Sequence, residues 1–199
     1  MALLKRKHTP PPKRDVSYYK ESLRKDFDHR CAYCKNHEAV EGGSKNFEID
    51  HYKPLCKFRG LKFTYSNLFY SCKECNRTKW SYYPNSLQMG LGEYILNPCD
   101  HDFEEHYDMN DPEWKGKTVT AFWNITKLRL NSPRRVKVRK DEIFALSKID
   151  ELSSNEKELL QIISDDRLQE PLLSEAKEDL VRIQDEIAFY RRKTIEITD

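Results

Sequence analysis

Apolar residues recur at every second position in one short stretch and at every third or fourth in several others, a pattern that predicts a small sheet among helices. Phe47, Ile49 and His51 alternate with Glu48 and Asp50, marking a strand that Pro54 stops. Leu68-Phe69-Tyr70 supplies a second apolar run. Tyr19, Leu23 and Phe27 share one helical face, with Asp15 or Ser17 as cap, and predict a helix over about residues 16–28. A short helix follows the second run, over about 73–80. Residues 35–46 form a polar loop broken at Gly42-Gly43, and 56–66 form a connecting loop. Pro84, Pro98 and Pro112 punctuate 81–116, where few apolar positions repeat, so ordered loop is expected. Helical spacing resumes at Val119, Phe122, Trp123 and Thr126, and Ser132-Pro133 is a cap followed by proline at a first helical position. Two further helices are expected over about 154–165 and 174–193, the last with Ala176, Leu180, Ile183, Ile187 and Tyr190 as an apolar stripe.

Composition narrows the class. With 38% hydrophobic and 34% charged residues, the 199-residue chain suits a soluble protein with heavily charged helices. It has no apolar run of roughly 18 residues, so no membrane partner is expected. Its first residues, MALLKRKHTPPPKR, are basic and lack the apolar middle of a signal peptide. They read as a flexible tail over 1–14 in a cytoplasmic protein, where paired cysteines hold metal more often than disulfides. Charge is unevenly spread. Residues 1–80 hold 18 Lys and Arg against 9 Asp and Glu, net +9, whereas 81–199 hold 17 against 24, net −7. The basic part would attract a polyanion.

That basic part also carries the chemistry. Cys31 and Cys34 form one C-x2-C pair, and Cys72 and Cys75 a second. Four thiolates in this spacing suit a closed structural Zn2+ site. Cys56 and Cys99 stand outside any paired spacing, as His101 and His106 stand outside any metal-binding pattern. Between the pairs lie Asp50-His51 and Asn67, and Asn76 follows Cys75. An imidazole can take a proton from water near neutral pH. A carboxylate and an amide oxygen form a hard, incomplete ligand set that favours Mg2+ or Mn2+. Adjacent strand residues point to opposite faces, so either a bend at Asp50 brings ligand and base together or the two approach from different sides. Lys53, Arg77 and Lys79, with Lys57, are candidates for contact with nucleic-acid phosphates.

Asp50-His51, Asn67 and Asn76, flanked by both cysteine pairs, resemble the HNH endonuclease family over about residues 27–80. The resemblance implies a ββα-metal fold, a hairpin packed on a helix around one divalent ion. By the same resemblance His51 is the general base, Asp50 and Asn76 hold the catalytic ion, and Asn67 positions loop and base. The family often has His where this chain has Asn76. The stretch KTVTAFWNITKLRLNSPRRVKVRKDEI resembles the segment that follows the nuclease core in some bacterial HNH proteins. Several of those accompany an ATPase in anti-phage defence systems such as Septu and certain retrons.

The expected protein is therefore α+β: a zinc-stapled ββα-metal nuclease core over 15–116 and a mainly helical C-terminal region over 117–199. Arg134, Arg135, Lys137, Arg139 and Lys140 would extend the DNA track, with RNA also open as substrate. The apolar stripe serves either the core or a partner, and a homo-oligomer is open. Two rivals remain at this level. One is a non-catalytic zinc-ribbon module that binds nucleic acid, and the other an adaptor that docks onto an ATPase.

Overall fold

Two five-residue strands and the helix after them form the centre of the protein, here in a computed structural model that describes residues 3–165 and 169–195. β1 (Phe47–His51) and β2 (Leu68–Cys72) pair antiparallel in unbroken register, from Phe47 opposite Cys72 to His51 opposite Leu68. Every β2 residue is buried, because α1 (Lys20–Asp26) packs on β2 while α2 (Lys73–Lys79) packs on both strands. Phe27 and Phe69 meet with ring centroids 5.5 Å apart. α1 is shorter than the spacing of its apolar face predicts, since Val16–Tyr19 wind as a 3-10 turn capped by Asp15.

The segment 81–116 departs from the loop expectation. It carries α3 (Ser86–Gly90), opened by a reciprocal Asn85–Gln88 capping box, and α4 (Phe103–His106). A two-residue ribbon follows, β3 (Tyr107–Asp108) against β4 (Lys115–Gly116). Elements of two to five residues are too short to show a period. Ile95, Leu96, Phe103, Tyr107 and Trp114 join the same core as the hairpin. So does α5 (Val119–Lys127) with the turn after it, through Ala121, Leu128 and Leu130, while Asn124 accepts from Leu96 N–H and donates to Tyr94 O.

The basic N-terminal segment does not hang free where it is described. Leu4 N–H donates to Pro98 O, and Arg6 donates to Leu68 O at 2.8 Å while stacking over Phe27, Tyr65 and Phe69. Buried Asp26 accepts from the backbone N–H groups of Lys7 and His8. The composition reads as a flexible tail, yet a guanidinium that stacks on three rings gains contact that helps hold the segment.

The chain divides at 139/140 into two compact units, 1–139 and 140–199. One helix, α6 (Pro133–Ile163), runs where a helix and a separate one at 154–165 were expected. In the second unit α7 (Leu172–Ile195) pairs with the later part of α6. Gln184 donates to Glu156 at 2.9 Å, Phe144 meets Tyr190, and Ala176 and Ile187 of the predicted stripe are buried. Among the described residues no helix is long and apolar enough to cross a membrane.

Candidate metal and catalytic centres

The hairpin and α2 bring the cysteine pairs together at one end. Cys31 and Cys34 lie on a turn whose Ala32 N–H donates to Tyr70 O, and Cys72 ends β2 as the cap of α2, its Sγ accepting from Cys75 N–H. All four cysteines are buried, and their Sγ atoms lie within 4.8 Å of one another, Cys34 and Cys72 at 3.9 Å. A tetrahedral zinc with Zn–S of about 2.3 Å needs sulfur–sulfur edges of about 3.8 Å, so the cluster fits. Burial alone would raise the Cys31 thiol, but hydrogen bonds from Cys34, Cys72 and Cys75 outweigh it and lower Cys31 well below the ordinary range. Burial and hydrogen bonds to Cys31, Cys34 and Cys72 push Cys75 up. A metal would take the place of the protons the four thiols share. Arg135, fully buried, donates through Nη2 to Cys75 Sγ at 3.0 Å, which brings a positive charge against the cluster.

Of the five basic residues expected to extend a DNA track, two point inside. Arg135 and Arg139 are buried, the latter stacked over Trp114 at 4.7 Å, and Arg134 pairs with Glu41 at 2.9 Å. A 3.6-residue period distributes these basic residues around the helix, and Arg134, Lys137 and Lys140 are exposed.

The second centre lies on the face of β1 that looks onto α2. Alternation sends Glu48 and Asp50 to this face, where Asn76 and Lys79, one turn apart on α2, meet them. Asn76 Nδ2 donates to Glu48 Oε2 at 2.7 Å, and Lys79 Nζ donates to Asp50 Oδ1 and to His51 O, each at 2.9 Å. Tyr33 donates its hydroxyl to Asp50 Oδ2, and burial together with the Asp50 charge raises the Tyr33 phenol well above its usual range. Asp50 is therefore engaged by both oxygens. Its remaining lone pairs, and the oxygens of Asn76 and Glu48, are what a hard cation could use.

Lys79 is a correction. Its side chain is 1% exposed and committed to Asp50, so it has no reach to a nucleic-acid backbone. A residue three positions after Asn76 shares the inward face of α2, which a reading based on charge overlooks. Arg77 does sit exposed at the cleft. Lys53 turns its ammonium toward the rings of Phe58 and Tyr83, at 5.8 and 5.9 Å, and Lys57 donates to Tyr83 O.

No bulge interrupts β1, and Asp50 and His51 nonetheless border one cleft at the end of the strand. His51 Nε2 lies 2.9 Å from Lys62 O. A carbonyl only accepts, so Nε2 carries the proton, and in the neutral ring Nδ1 holds the lone pair. Asn67, buried, accepts from Lys53 N–H at 2.8 Å and donates to Lys53 O at 3.1 Å, clamping the chain just after His51. Glu48, Asp50, His51 and Asn76 all open on one cleft of about 600 Å3, with Arg77 and Trp80 on its wall. Glu48 was not singled out from sequence. Its signal was the period-2 offset from Asp50.

The comparisons with known proteins agree with this architecture. Residues 31–81 match the HNH endonuclease family, so the chain carries an HNH domain that contains both centres. The chain is 28% identical over 186 residues to "Septu protein PtuB" of Bacillus mycoides (strain KBAB4), covering 77% of this chain and 61% of the relative. It is 26% identical over 139 residues to "Septu protein PtuB" of Bacillus thuringiensis, covering 69% and 52%. The chain thus spans between half and two thirds of the length of these relatives. No solved structure matches.

Proposed function

We propose that this protein is a metal-dependent HNH endonuclease that hydrolyses phosphodiester bonds of DNA. The observation that carries the reading is the shared cleft. A base (His51), two acids (Glu48 and Asp50) and an amide (Asn76) open on one space inside the segment that matches the family.

His51 takes a proton from the attacking water through Nδ1, while Lys62 O holds the ring by Nε2. Asn67 keeps the Lys53 backbone, and with it His51, in place. Asp50, fixed by Lys79 and Tyr33, and Asn76, fixed by Glu48, hold a divalent ion, Mg2+ or Mn2+, with Glu48 as a further oxygen donor. Such an ion supplies charge stabilisation at the scissile phosphate. Arg77 adds a cation on the wall. Cys31, Cys34, Cys72 and Cys75 hold a structural Zn2+.

The similarity to the Septu proteins extends the reading to anti-phage defence in the cytoplasm, with an ATPase as partner. A purified-protein assay on supercoiled plasmid, run with Mg2+ or Mn2+, tests the chemistry. The parent nicks, and His51→Ala loses nicking by about 100-fold or more while its zinc content is unchanged. Equal cutting by both would remove His51 as base. One observation favours a second reading: Lys79 already neutralises Asp50, as it would in a module that binds nucleic acid without cutting. The absence of metal-dependent nicking, with DNA binding retained, would establish that alternative.

A further inference from the structure

Trp80 sits at the C-terminal end of α2 with a backbone that its side chain opposes. Its φ is +52° and ψ −138°. This is not the left-handed helical pocket that asparagine tolerates, where ψ is positive. Lys79 O accepts from Tyr82 N–H at 3.1 Å, so Lys79–Tyr82 form a tight turn with Trp80 at its second position. Positive φ with strongly negative ψ there is the geometry of a type II′ turn, whose second position glycine dominates. The turn is pinned from both sides. Trp80 N–H donates to Asn76 O at 2.9 Å, and Tyr82 packs its ring on Trp123 and donates its hydroxyl to Glu93 O. The surroundings impose the conformation, and the sequence places its largest side chain in it.

That side chain stabilises nothing in the fold that the burial reveals. Trp80 is 75% exposed, the most exposed of the large hydrophobic residues described. It lines the same cleft as Asp50, His51 and Asn76, with Arg77 beside it. A strained backbone, an exposed indole and an adjacent guanidinium at the mouth of a phosphodiester-cutting cleft point to a ligand with a flat face next to a phosphate.

Resting on the nuclease reading above, we infer that Trp80 stacks on a nucleobase adjacent to the bound phosphate, so that the substrate is nucleic acid with an unpaired nucleotide at the cut. A base held in a duplex offers its faces to its neighbours and only its edges to the groove. An indole can stack on it only after it has left the helix, or where it was never paired. Stacking on aromatic side chains tolerates every base, so it holds the strand whatever its sequence. Single-stranded DNA and unpaired stretches of RNA share this chemistry.

The test measures binding by the full-length, zinc-loaded protein in a His51→Ala background, so that cleavage does not interfere. The probes are a labelled single-stranded DNA, the RNA of the same sequence, and the DNA duplex. Trp80→Gly suits the turn geometry, so this variant unfolds at a temperature no lower than its parent. It binds at least one of the two single strands about tenfold more weakly, while duplex affinity stays within about twofold. Trp80→Leu keeps apolar bulk without a π face and behaves like the glycine variant. Trp80→Phe retains most of the affinity. Whichever single strand shows the loss identifies the source of the base. The inference is overturned if Trp80→Gly binds both single strands as tightly as its parent, if it loses duplex binding equally, if Trp80→Leu restores binding, or if the parent binds no single strand at all. Cleavage by the His51 protein is scored separately. Trp80-dependent strand binding without cleavage would leave the stacking in place and remove the nuclease reading.

Discussion

At the scale of single residues, the informative contact is the one between Lys79 and Asp50. Both side chains are almost wholly buried, 1% and 5% exposed, and such a pair costs much to break because either partner alone is a stranded charge. Lys79→Met should therefore destabilise the protein by about 3–5 kcal/mol, and Asp50→Asn by a similar order, whereas the double variant should recover a large part of the loss. Urea unfolding of the three variants checks this. Additive losses in the double variant would mean that the two groups are not coupled. The same contact shows where residue-level reading of the sequence succeeds and where it stops. Asp50, His51 and Asn76, which line one cleft, could be singled out because their spacing sits inside a cysteine frame. The roles of Glu48 and Lys79 could not be read, because a hairpin packed on a helix does not by itself say which further side chains of β1 and α2 meet. Positions 48 and 50 on the strand meet 76 and 79 on the helix.

At the scale of elements, Glu38 ties α1 to β2. Arg24 of α1 donates to its carboxylate through Nε and Nη2, and Tyr70 of β2 donates at 2.5 Å. Burial pushes the Glu38 carboxyl up, but these hydrogen bonds from Arg24 and Tyr70 outweigh it and hold it down to about 2, from an ordinary 4.5. The folded-state value lies below the unfolded one, so the stabilisation is complete above about pH 4.5 and is lost as pH falls toward 2. It amounts to something on the order of 3 kcal/mol. Thermal unfolding followed from pH 6 to 3 (roughly the accessible part of this window) should show a fall in midpoint that Glu38→Gln flattens. A slope unchanged in that variant would assign the acid sensitivity elsewhere. Element boundaries were recovered in proportion to the pattern available. Period-2 alternation gave β1, the apolar run Leu68-Phe69-Tyr70 marked only the first part of β2, and Ser132-Pro133 gave the start of α6. The ribbon at Tyr107–Asp108 and Lys115–Gly116 has two residues a side and no period to read. The continuity of α6 was missed because its charged middle, Ser147 to Lys157, carries few apolar residues to join its ends.

At the scale of the whole molecule, the cysteine cluster joins parts of the first unit that are far apart in sequence, and Arg135 is the join. Its guanidinium donates to Cys75 Sγ, to Leu128 O at 2.6 Å and to Arg129 O at 3.2 Å, so one side chain spans the second cysteine pair and the turn between α5 and α6. Four thiolates around Zn2+ carry a net charge of about −2, and a buried cation at their edge offsets part of it. Only a planar, forked cation can serve a sulfur and two carbonyls together. A lysine ammonium is a point donor and must leave one side unpaired. Arg135→Lys should thus keep the charge, lose the bridge, and release zinc to a chromogenic chelator about tenfold faster than the parent. Its thermal midpoint should fall in the zinc-loaded form, while the two proteins should become alike once zinc is stripped and the core of residues 1–139 has loosened. Equal release rates would show that Arg135 serves the α5–α6 turn alone. Faster release with an unchanged midpoint would show instead that it guards the metal without holding the fold.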